Sequence, residues 1–371
     1  MKILYIIYSL SAGGAERFLT DLSNSLSERQ DCDITILILK REDEQNIFYK
    51  KELNGNIHFK SLRIRKIGLS IFCKLYKAIK KEEADVVHIH LSPIILYSIL
   101  PVLFYRKSAY IETLHNEVSR IDNSSKSKRI LKSFIYRFGL VSVCAISDKN
   151  YVEFKKVFGR NCEALIYNGR KQLLPTLQIE NVKQEIESYK INKDTIVVTH
   201  IARCAGQKNQ DLLIDAFNQI IIKDRQNIIL LVIGSGFDSD KGKSLQDRAC
   251  KNIHFLGEKY NIQDYLSCSD SFCLSSGYEG MPITLIEALA CKCIPLSTPV
   301  SGVVDLIEDN ANGFISDNFS IASFVDMLNR YIQNREAIDR DKLEELYKMK
   351  LSMEACSAEY YKLYQALIAG K

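Results

Sequence analysis

Several motifs that define other classes of protein are missing from this sequence. None of its 11 cysteines lies in a CxxC pair, which argues against a structural metal or a disulfide framework and favours a reducing, cytoplasmic compartment. No apolar run reaches the roughly 18 residues of a membrane-spanning helix. GxSxG, HExxH and Walker motifs are also absent, so serine hydrolase, zinc protease and P-loop functions have no support.

Dinucleotide-binding motifs are missing as well. Gly13-Gly14 follows the first apolar run and Gly234-Ser235-Gly236 follows a later one, but neither has the GxGxxG spacing. An NAD-dependent dehydrogenase is therefore disfavoured. The first run, MKILYIIYSL, is followed by no signal-peptide cleavage site and is predicted to be a buried strand.

The composition is that of a globular protein. Hydrophobic residues make up 46% of the chain and charged residues 26%, which excludes a disordered or fibrous protein. A chain of 371 residues exceeds what one hydrophobic core usually serves, so we expect two domains.

Charge is distributed unevenly along the chain. Residues 1–170 carry 28 Lys and Arg against 18 Asp and Glu, a net charge of +10, whereas the remaining residues carry −5. The basic half is expected to attract phosphates, acidic lipid surfaces or nucleic acid. Nucleic acid is the least favoured of these partners, because no nucleic-acid-binding module accompanies the charge.

Short apolar runs alternate with segments of helical period. In the first half, strands are predicted over residues 3–7, 34–39, 84–90, 109–114 and 141–146. In the second half, strands are predicted over residues 195–202, 227–233, 253–256, 271–274 and 294–297. This alternation predicts parallel sheets covered on both faces, in two α/β domains that follow one another.

The pattern also predicts the domain boundaries. Periodicity lapses in IYNGRKQLLPTLQIE, where Asn168-Gly169 is a turn signal and Pro175 a helix breaker. We therefore assign residues 1–168 to a first Rossmann-like domain and 169–350 to a second. Residues 351–371 are expected to form a helix that packs back on the first domain.

Two glutamates flank a helix start in SSGYEGMPITLIEALACKCIPL. Pro282 suits the first turn of a helix, so Glu279 and Gly280 would lie at its N-terminus, where free N–H groups and the helix dipole can hold a phosphate. Glu287, eight positions after Glu279, could accept hydrogen bonds from ribose hydroxyls, and Glu279 could reach a sugar. The alternative is that both are ordinary solvated glutamates.

Two cations follow a predicted strand in IVVTHIARCAGQKNQDLLIDAF. Arg203 and Lys208 bracket the loop before a helix expected to begin near Gln207. Cations at the carboxyl end of a parallel strand could stabilise a diphosphate leaving group without a metal. The alternative is a pair of solvated loop cations.

Histidines and glycines complete the candidate set. His115 ends a predicted strand and is a functional candidate, whereas His88 and His90 alternate on a buried strand and are interpreted as structural or cleft-lining. Gly14 precedes a helix, where a glycine lets the backbone approach a ligand closely; the alternative is a plain turn.

Taken together, these motifs resemble glycosyltransferase family 4 nearly from end to end. They are GGAER, the Thr113–Asn116 segment, Arg203 to Lys208, LLVIGSG, FLGEKYNIQDYLSCSDSFCLSS and YEGMPITLIEA. Each motif alone is weak, but their order and spacing are specific.

The resemblance implies a GT-B fold, an α/β architecture of two Rossmann-like parallel-sheet domains facing a central cleft, with the acceptor side in the first domain and the nucleotide sugar in the second. It implies retaining transfer from a nucleoside diphosphate sugar, taken as UDP-linked, with no obligatory metal and no other cofactor. The implied catalytic residues are Glu279, His115, Arg203 and Lys208. The implied donor-binding residues are Gly14, Arg203, Lys208, Gly234, Gly257, Gly280, Met281 and Glu287.

The sequence also departs from the family pattern. Asn209 replaces the glycine often found after the lysine, and Ser301 and Asp305 replace a glycine and a glutamate after the EALA helix. Met281 in place of phenylalanine resembles bacterial surface-polysaccharide members that use saccharide or lipid-linked acceptors. The alternatives kept open are a GT-B sugar-nucleotide epimerase and a catalytically silent sugar-nucleotide-binding subunit.

Two basic segments with apolar residues at helical spacing predict a peripheral contact with the anionic inner face of the cell membrane. One covers residues 60–81 and the other residues 125–139. In the second, one apolar face with basic margins is predicted; its apolar members are Ile130, Leu131, Phe134, Ile135 and Phe138, and its basic margins are Lys126, Lys128, Arg129, Lys132 and Arg137. The alternative is that both apolar faces pack on the domain core.

Overall fold

The computed structural model divides the chain into two compact units. One comprises Met1–Lys171 with Lys350–Lys371, and the other comprises Gln172–Met349. The residues described are 1–66, 68–91, 93–118 and 126–370, without the side chain of Lys126.

The first unit is built on a parallel sheet. Within the described ranges it has seven strands in the order β3-β2-β1-β4-β5-β6-β7. They are β1 (Lys2–Ile7), β2 (Asp33–Ile38), β3 (His58–Ser61), β4 (Val86–His90), β5 (Ala109–Leu114), β6 (Ser142–Ala145) and β7 (Ala164–Leu165). The central strand β1 pairs in register with both neighbours, Ile3 lying opposite Ile34 and Val86. Its residues Ile3 to Ile7 are fully buried, as expected for a strand covered on both faces.

Helices connect these strands. They are α1 (Gly14–Ser27), α2 (Ser70–Glu82), α3 (Ile94–Tyr97), α4 (Ile99–Phe104), α5 (Lys126–Arg137) and α6 (Asp148–Phe158), with a 3₁₀ segment over Glu44–Glu52. The bounds of α6 follow from its sequence. Ser147 accepts a hydrogen bond from the Asn150 N–H at the start, and Gly159 takes a left-handed conformation at the end.

The second unit repeats the plan with a six-stranded parallel sheet among the described residues, in the order β10-β9-β8-β11-β12-β13. Its strands are β8 (Ile196–Ile201), β9 (Ile228–Ile233), β10 (Ile253–Gly257), β11 (Ser271–Leu274), β12 (Ile294–Ser297) and β13 (Phe314–Ile315). Its helices are α7 (Ile179–Tyr189), α8 (Gln210–Asn218), α9 (Asp240–Arg248), α10 (Ile262–Ser267), α11 (Ile283–Ala290), α12 (Ile321–Asn334) and α13 (Arg340–Leu346). Short 3₁₀ or π segments cover Gly206–Lys208, Gln219–Lys223 and Arg335–Ala337, and a further one, Tyr347–Leu351, spans the boundary between the units at Met349 and Lys350.

The last helix, α14 (Met353–Ala369), belongs to the first unit and packs against α1. Ser352 caps it by accepting a hydrogen bond from the Ala355 N–H. Its Tyr360 and Tyr364 are fully buried and bring two hydroxyl groups into the interior beside β4 and β5.

All ten predicted strands are present, which confirms the predicted α/β fold with two parallel sheets. The pattern missed β3, β7 and β13, which lie at sheet edges and have four, two and two residues. The two-residue strands β7 and β13 are too short to establish an apolar period, and β3, with the sequence HFKS and no buried residue, has no apolar run.

Candidate active site

In the second unit, the loop after β8 and the loop after β11 are fastened together. The Gly277 N–H donates to the Gln207 carbonyl at 2.8 Å, and the Ser275 hydroxyl donates to the Lys208 carbonyl at 2.8 Å. Since both loops follow strand carboxyl ends, they lie at the edge of the sheet where α/β folds bind ligands.

An ion pair joins two of the predicted site residues in these loops. Lys208 Nζ lies 2.6 Å from Glu279 Oε1, and the side chains are 18% and 9% exposed. The Ser276 hydroxyl donates to the same carboxylate oxygen at 2.6 Å, and Gln207 Nε2 lies 3.4 Å from Glu279 Oε2. Glu279 is therefore held in place and orients Lys208, so neither residue is an ordinary solvated side chain.

Arg203 differs from Lys208. Its side chain is exposed and has no ion pair or hydrogen bond to the described residues. Only its backbone is fixed, because Gln210 Nε2 donates to the Arg203 carbonyl at 2.9 Å. Arg203 is thus the solvent-accessible cation of the loop, and the interpretation of Lys208 as a second solvated cation is wrong.

The loop geometry explains why asparagine occupies position 209. Asn209 has φ 48° and ψ 48°, a left-handed conformation, which glycine adopts freely and asparagine tolerates better than most residues. The substitution of glycine by asparagine is therefore compatible with the same turn. The predicted helix start near Gln207 is wrong: Lys208 lies in a 3₁₀ turn, and α8 begins at Gln210.

The helix α11 starts directly after Pro282, and no side chain caps it within the described ranges. The first N–H groups of a helix lack intrahelical partners and favour an anion. Gly280 and Met281 are buried just before this start, and Glu287 on α11 is only 3% exposed. The alternative that Glu287 is an ordinary solvated glutamate is therefore also wrong.

Gly302 is required beside this helix start, although the sequence analysis did not select it. It has φ 74°, and a Cβ atom there would lie 2.4 Å from the Gly280 carbonyl oxygen and 2.8 Å from Met281 Cα. Any side chain would displace the backbone that precedes α11. The backbone of Gly280 and Met281 is thus held in position by its close contact with Gly302, and only glycine at position 302 allows that contact.

Two further predicted glycines meet at the ends of β9 and β10. The Gly234 N–H donates to the Gly257 carbonyl at 2.8 Å. Gly234 has φ 149°, and a Cβ there would lie 2.1 Å from the Ala202 carbonyl oxygen. This glycine keeps β9 close to the loop that carries Arg203.

The remaining predicted residues, His115 and Gly14, lie in the first unit. Gly14 begins α1 directly after the extended Gly13. His115 follows β5, and its Nε2 lies 2.9 Å from Nδ1 of His90. Burial lowers the pKa of His115 to about 3, so this imidazole is neutral at physiological pH.

His90 determines which nitrogen of His115 carries the proton. Nε2 of His90 is buried and has no hydrogen-bond partner among the described residues. A proton there would leave a buried N–H without an acceptor, which folded proteins rarely allow. We therefore infer that His90 donates from Nδ1 to Nε2 of His115, which leaves the His115 proton on Nδ1.

His88 has structural contacts, which favour the first of the two alternatives, structural or cleft-lining, that were predicted from its buried strand. Its Nδ1 lies 2.7 Å from the Tyr364 hydroxyl, and its Nε2 lies 2.8 Å from the Thr113 hydroxyl, which is 3.0 Å from the hydroxyl of Tyr360. These bonds fasten α14 to β4 and β5. Nothing in the spacing of the two tyrosines indicated hydroxyl partners for His88.

The described residues contain neither a metal-ligand cluster nor a membrane-spanning helix. In the part of the chain that the structure describes, no three His, Cys, Asp or Glu residues are grouped as metal ligands, and all 11 cysteines are free. No helix of the described ranges combines the length and the apolar character needed to cross a bilayer.

Two family models match this chain. The model for Glycosyltransferase Family 4 matches residues 12–170, and the model for Glycosyl transferases group 1 matches residues 181–348. The chain belongs to glycosyltransferase family 4 and is a glycosyltransferase, as the motifs predicted.

Similar proteins extend over most of the chain. The capsular polysaccharide biosynthesis glycosyltransferase CapH of Staphylococcus aureus is 25% identical, over 81% of this chain and 82% of its own length. A Campylobacter jejuni α-1,4-N-acetyl-D-galactosaminyltransferase, named for a diNAcBac-PP-undecaprenol-linked saccharide, is 24% identical over 88% and 89% of the two chains. The crystal structure of Anabaena Alr3699/HepE with UDP-glucose has a TM-score of 0.80 at 17% identity, covering 99% of this chain and 100% of that one. The last likeness supports the GT-B fold.

Proposed function

We propose that this glycosyltransferase moves a sugar from a UDP-sugar to a diphosphate-linked lipid saccharide during synthesis of a surface polysaccharide. The observation that carries the proposal is the cluster of Lys208, Glu279 and Ser276 at the strand ends of the second unit, with Arg203 accessible in the same loop. The names of the relatives support the donor and acceptor classes, since one binds UDP-glucose and another is named for a PP-undecaprenol saccharide.

Leaving-group stabilisation is the main catalytic contribution in this proposal. As the bond between the sugar and the diphosphate breaks, negative charge develops on the departing phosphate. Arg203, Lys208 and the uncapped start of α11 would stabilise that charge. Glu279 fixes Lys208 before the reaction, so little reorganisation is needed when the charge forms.

Retention, metal independence and the remaining donor contacts are also proposals. The acceptor hydroxyl would attack the face that the diphosphate leaves, and its proton would pass to the departing phosphate oxygen. Because Arg203 and Lys208 supply positive charge, no metal ion is required in this scheme, and no other cofactor takes part. Glu287 would bind the ribose, and neutral His115 would donate from Nδ1 to a donor oxygen.

Gly14, Gly234, Gly257, Gly280 and Met281 remain proposed donor-binding residues through their backbones. The conformations of Gly234 and Gly257, at φ 149° and φ 70°, support a tight backbone path at the ends of β9 and β10. The similar proteins are named as glycosyltransferases, and no observation supports the two alternatives, an epimerase or a silent binding subunit.

A peripheral membrane contact fits a lipid-linked acceptor, and α5 supports it. Ile130, Phe134 and Phe138 are 70%, 43% and 70% exposed, and the two phenylalanine rings lie 4.8 Å apart. The predicted single apolar face is wrong, since Ile135 is fully buried and Leu131 packs on the core. The exposed ridge consists of Ile130, Phe134 and Phe138, and its exposed basic neighbours are Lys128, Arg129 and Arg137.

Two of the predicted basic margins do not support the contact. Lys132 is buried, while Ser125 and the side chain of Lys126 fall outside the described residues. In α2, Leu75 and Ile79 are fully buried, so its apolar face packs on the core.

Product analysis tests the proposed function. The purified chain is incubated with UDP-sugars and a polyprenyl-diphosphate-linked saccharide, with and without a chelator. The expected product is an extended lipid-linked saccharide, and nuclear magnetic resonance should show that the anomeric configuration of the donor is kept. An inverted linkage would contradict retention, a strict metal requirement would contradict metal independence, and an epimerised UDP-sugar would contradict sugar transfer.

A further inference from the structure

The first unit holds a basic cavity that the proposed donor site does not use. It has a volume of about 480 Å³ and lies beyond the carboxyl end of β2, with Lys40, Arg41 and Arg65 in its wall. An adjoining cavity of about 490 Å³ shares Arg41 and Arg65 and adds Arg63. Sites for small molecules usually measure about 300–1,000 Å³, and α/β folds bind ligands at this edge of the sheet.

The two carboxylates in the wall are engaged with other residues. Glu42 Oε2 lies 2.7 Å from Lys50 Nζ. Asp43 accepts hydrogen bonds from the backbone N–H of Asn46 at 3.0 Å and from its side-chain amide at 2.6 Å. Neither carboxylate is ion-paired with a cation of the wall among the described residues.

The cations of the wall are available to a ligand. Lys40 Nζ lies 5.2 Å from the centre of the Tyr8 ring and has no acidic partner within the described ranges. The guanidinium groups of Arg41, Arg63 and Arg65 are exposed and also have no ion pair to the described residues. These four cations, which have no ion pair to the described residues, line the two adjoining cavities and create a positive potential that concentrates anions.

The backbone around Arg63 is held in an uncommon conformation. Arg63 has φ 51°, a left-handed value that residues with a Cβ atom adopt rarely. The Ser61 hydroxyl oxygen accepts from the Arg63 N–H at 3.0 Å, and the Ile64 N–H donates to the Leu39 carbonyl at 2.9 Å. Such conformations persist where the surroundings enforce them, and they cluster at ligand sites.

We propose that Lys40, Arg41, Arg63 and Arg65 form a binding site for the diphosphate group of the lipid-linked acceptor. This inference rests on the proposed function and adds an acceptor-phosphate site in the first unit. Guanidinium groups bind phosphate oxygens in a bidentate manner, and two adjacent phosphates match several cations better than a neutral saccharide does. Free phosphate and the donor's diphosphate share this chemistry, so the test separates the three sources.

The kinetic test uses Arg63→Gln/Arg65→Gln, with Lys74→Gln/Lys77→Gln on the exposed side of α2 as a control that removes the same charge. Reactions are run in detergent with an acceptor saccharide on a polyprenyl diphosphate and with the same saccharide on a neutral aglycone. The first variant should raise KM for the diphosphate acceptor at least about tenfold, as expected for loss of charge-assisted hydrogen bonds. KM for the neutral acceptor and for the UDP-sugar should stay unchanged. An equal rise for the neutral acceptor, or a rise for the donor instead, would overturn the assignment.

Calorimetry tests the cavity without turnover, so it stays informative even if the wild-type chain transfers no sugar. Farnesyl diphosphate should bind the wild type and the control alike, and the arginine variant about tenfold more weakly. UDP affinity should be the same in all three. Absence of farnesyl diphosphate binding to the wild type, a parallel loss of UDP binding, or full competition by equimolar inorganic phosphate would each contradict an acceptor site.

Discussion

The two units place polar groups at the same edge of similar parallel sheets, but they do so with different charge. In the second unit, Lys208 and Glu279 form an ion pair at 2.6 Å. In the first unit, burial lowers the pKa values of His88 and His90 well below their usual range and that of His115 to about 3. The strand ends of the second unit therefore carry ionised side chains, with Arg203 exposed beside the ion pair, whereas the ends of β4 and β5 in the first unit carry neutral hydrogen-bonding groups.

We propose that this contrast reflects different roles of the two units. A fixed cation at a strand end lowers the energy of a departing phosphate, while a neutral imidazole with a fixed tautomer can orient a hydroxyl without adding charge. Substitutions in the ion pair should therefore affect catalysis more than substitutions among the buried histidines.

The largest effect is expected from Lys208→Ala. Loss of one preorganised charge contact to the developing anion should lower turnover about 100-fold or more, and Arg203→Ala should have an effect of similar size. Steady-state kinetics measures both, and Lys183→Ala, in an exposed ion pair with Glu180, is the control. Near-normal turnover in a folded Arg203→Ala/Lys208→Ala variant would remove the diphosphate-binding role.

Stability should separate the two cations. Removing Lys208 leaves the largely buried Glu279 without its cation, a loss that costs up to about 3–5 kcal/mol of unfolding free energy in fully buried pairs. Arg203 is exposed and unpaired among the described residues, so its removal should leave the unfolding free energy within about 0.5 kcal/mol. Both variants are therefore compared by denaturant unfolding before their kinetics are interpreted.

The two glutamates should differ in what they bind. Glu287→Ala should weaken UDP binding by roughly tenfold, the effect of losing a hydrogen bond to a charged acceptor. Glu279→Ala releases Lys208 and should depress turnover and UDP-sugar binding more than UDP binding. Calorimetry with UDP and with the UDP-sugar measures this difference, and equal losses of UDP affinity in both variants would contradict it.

The tyrosine hydroxyls of α14 should contribute to the stability of the first unit. Tyr360 is fully buried, and its hydroxyl lies 3.0 Å from the Thr113 hydroxyl and 3.4 Å from Cys144 Sγ. Tyr360→Phe leaves these groups with one partner fewer and should cost about 1–3 kcal/mol of unfolding free energy. Tyr361→Phe, one residue further along, removes a hydroxyl that is bonded to Asp31 and Gln365 outside the buried network and serves as the comparison. A Tyr360→Phe variant as stable in urea as the wild type would show that the buried network adds nothing.

The buried histidines should make the first unit sensitive to acid. A histidine whose folded pKa lies below its unfolded value of about 6.5 binds fewer protons when folded, so its contribution to stability is lost as the pH falls below about 6.5. Because His90 takes up its proton mainly in the unfolded chain, the unfolding free energy should fall by up to about 1.4 kcal/mol for each pH unit by which the pH drops below that value. Unfolding at pH 7, 6 and 5 should show a flatter dependence for His90→Gln, and equal slopes would contradict a depressed pKa.

The sequence predicted the elements of the fold wherever an apolar run or a residue with a fixed positional preference marks them. Buried strands such as β1 and β9 are continuous apolar runs, and the helix after Pro282 follows from that proline. Contacts between distant segments were not accessible in this way. The bond of Ser276 to Glu279 and the approach of Gly302 to Gly280 depend on how two loops meet in space.

The smallest effect is expected on the membrane contact. Here α5 and α2 differ, because α5 has exposed apolar side chains whereas the apolar face of α2 is packed on the core. The double change Phe134→Ser/Phe138→Ser removes two exposed rings of the ridge without opening the core, so the fold should be kept. Binding to anionic vesicles at low salt should fall several-fold, because rings that lie only at the membrane interface gain a fraction of the roughly 1.5–3 kcal/mol that full burial of one ring contributes. Lys74→Ala/Lys77→Ala on α2 should have less effect, since charge without an apolar anchor is screened by salt. Vesicle co-sedimentation at low and high salt measures both variants, and a wild-type chain with no preference for anionic over neutral vesicles would contradict docking and favour an acceptor delivered in solution.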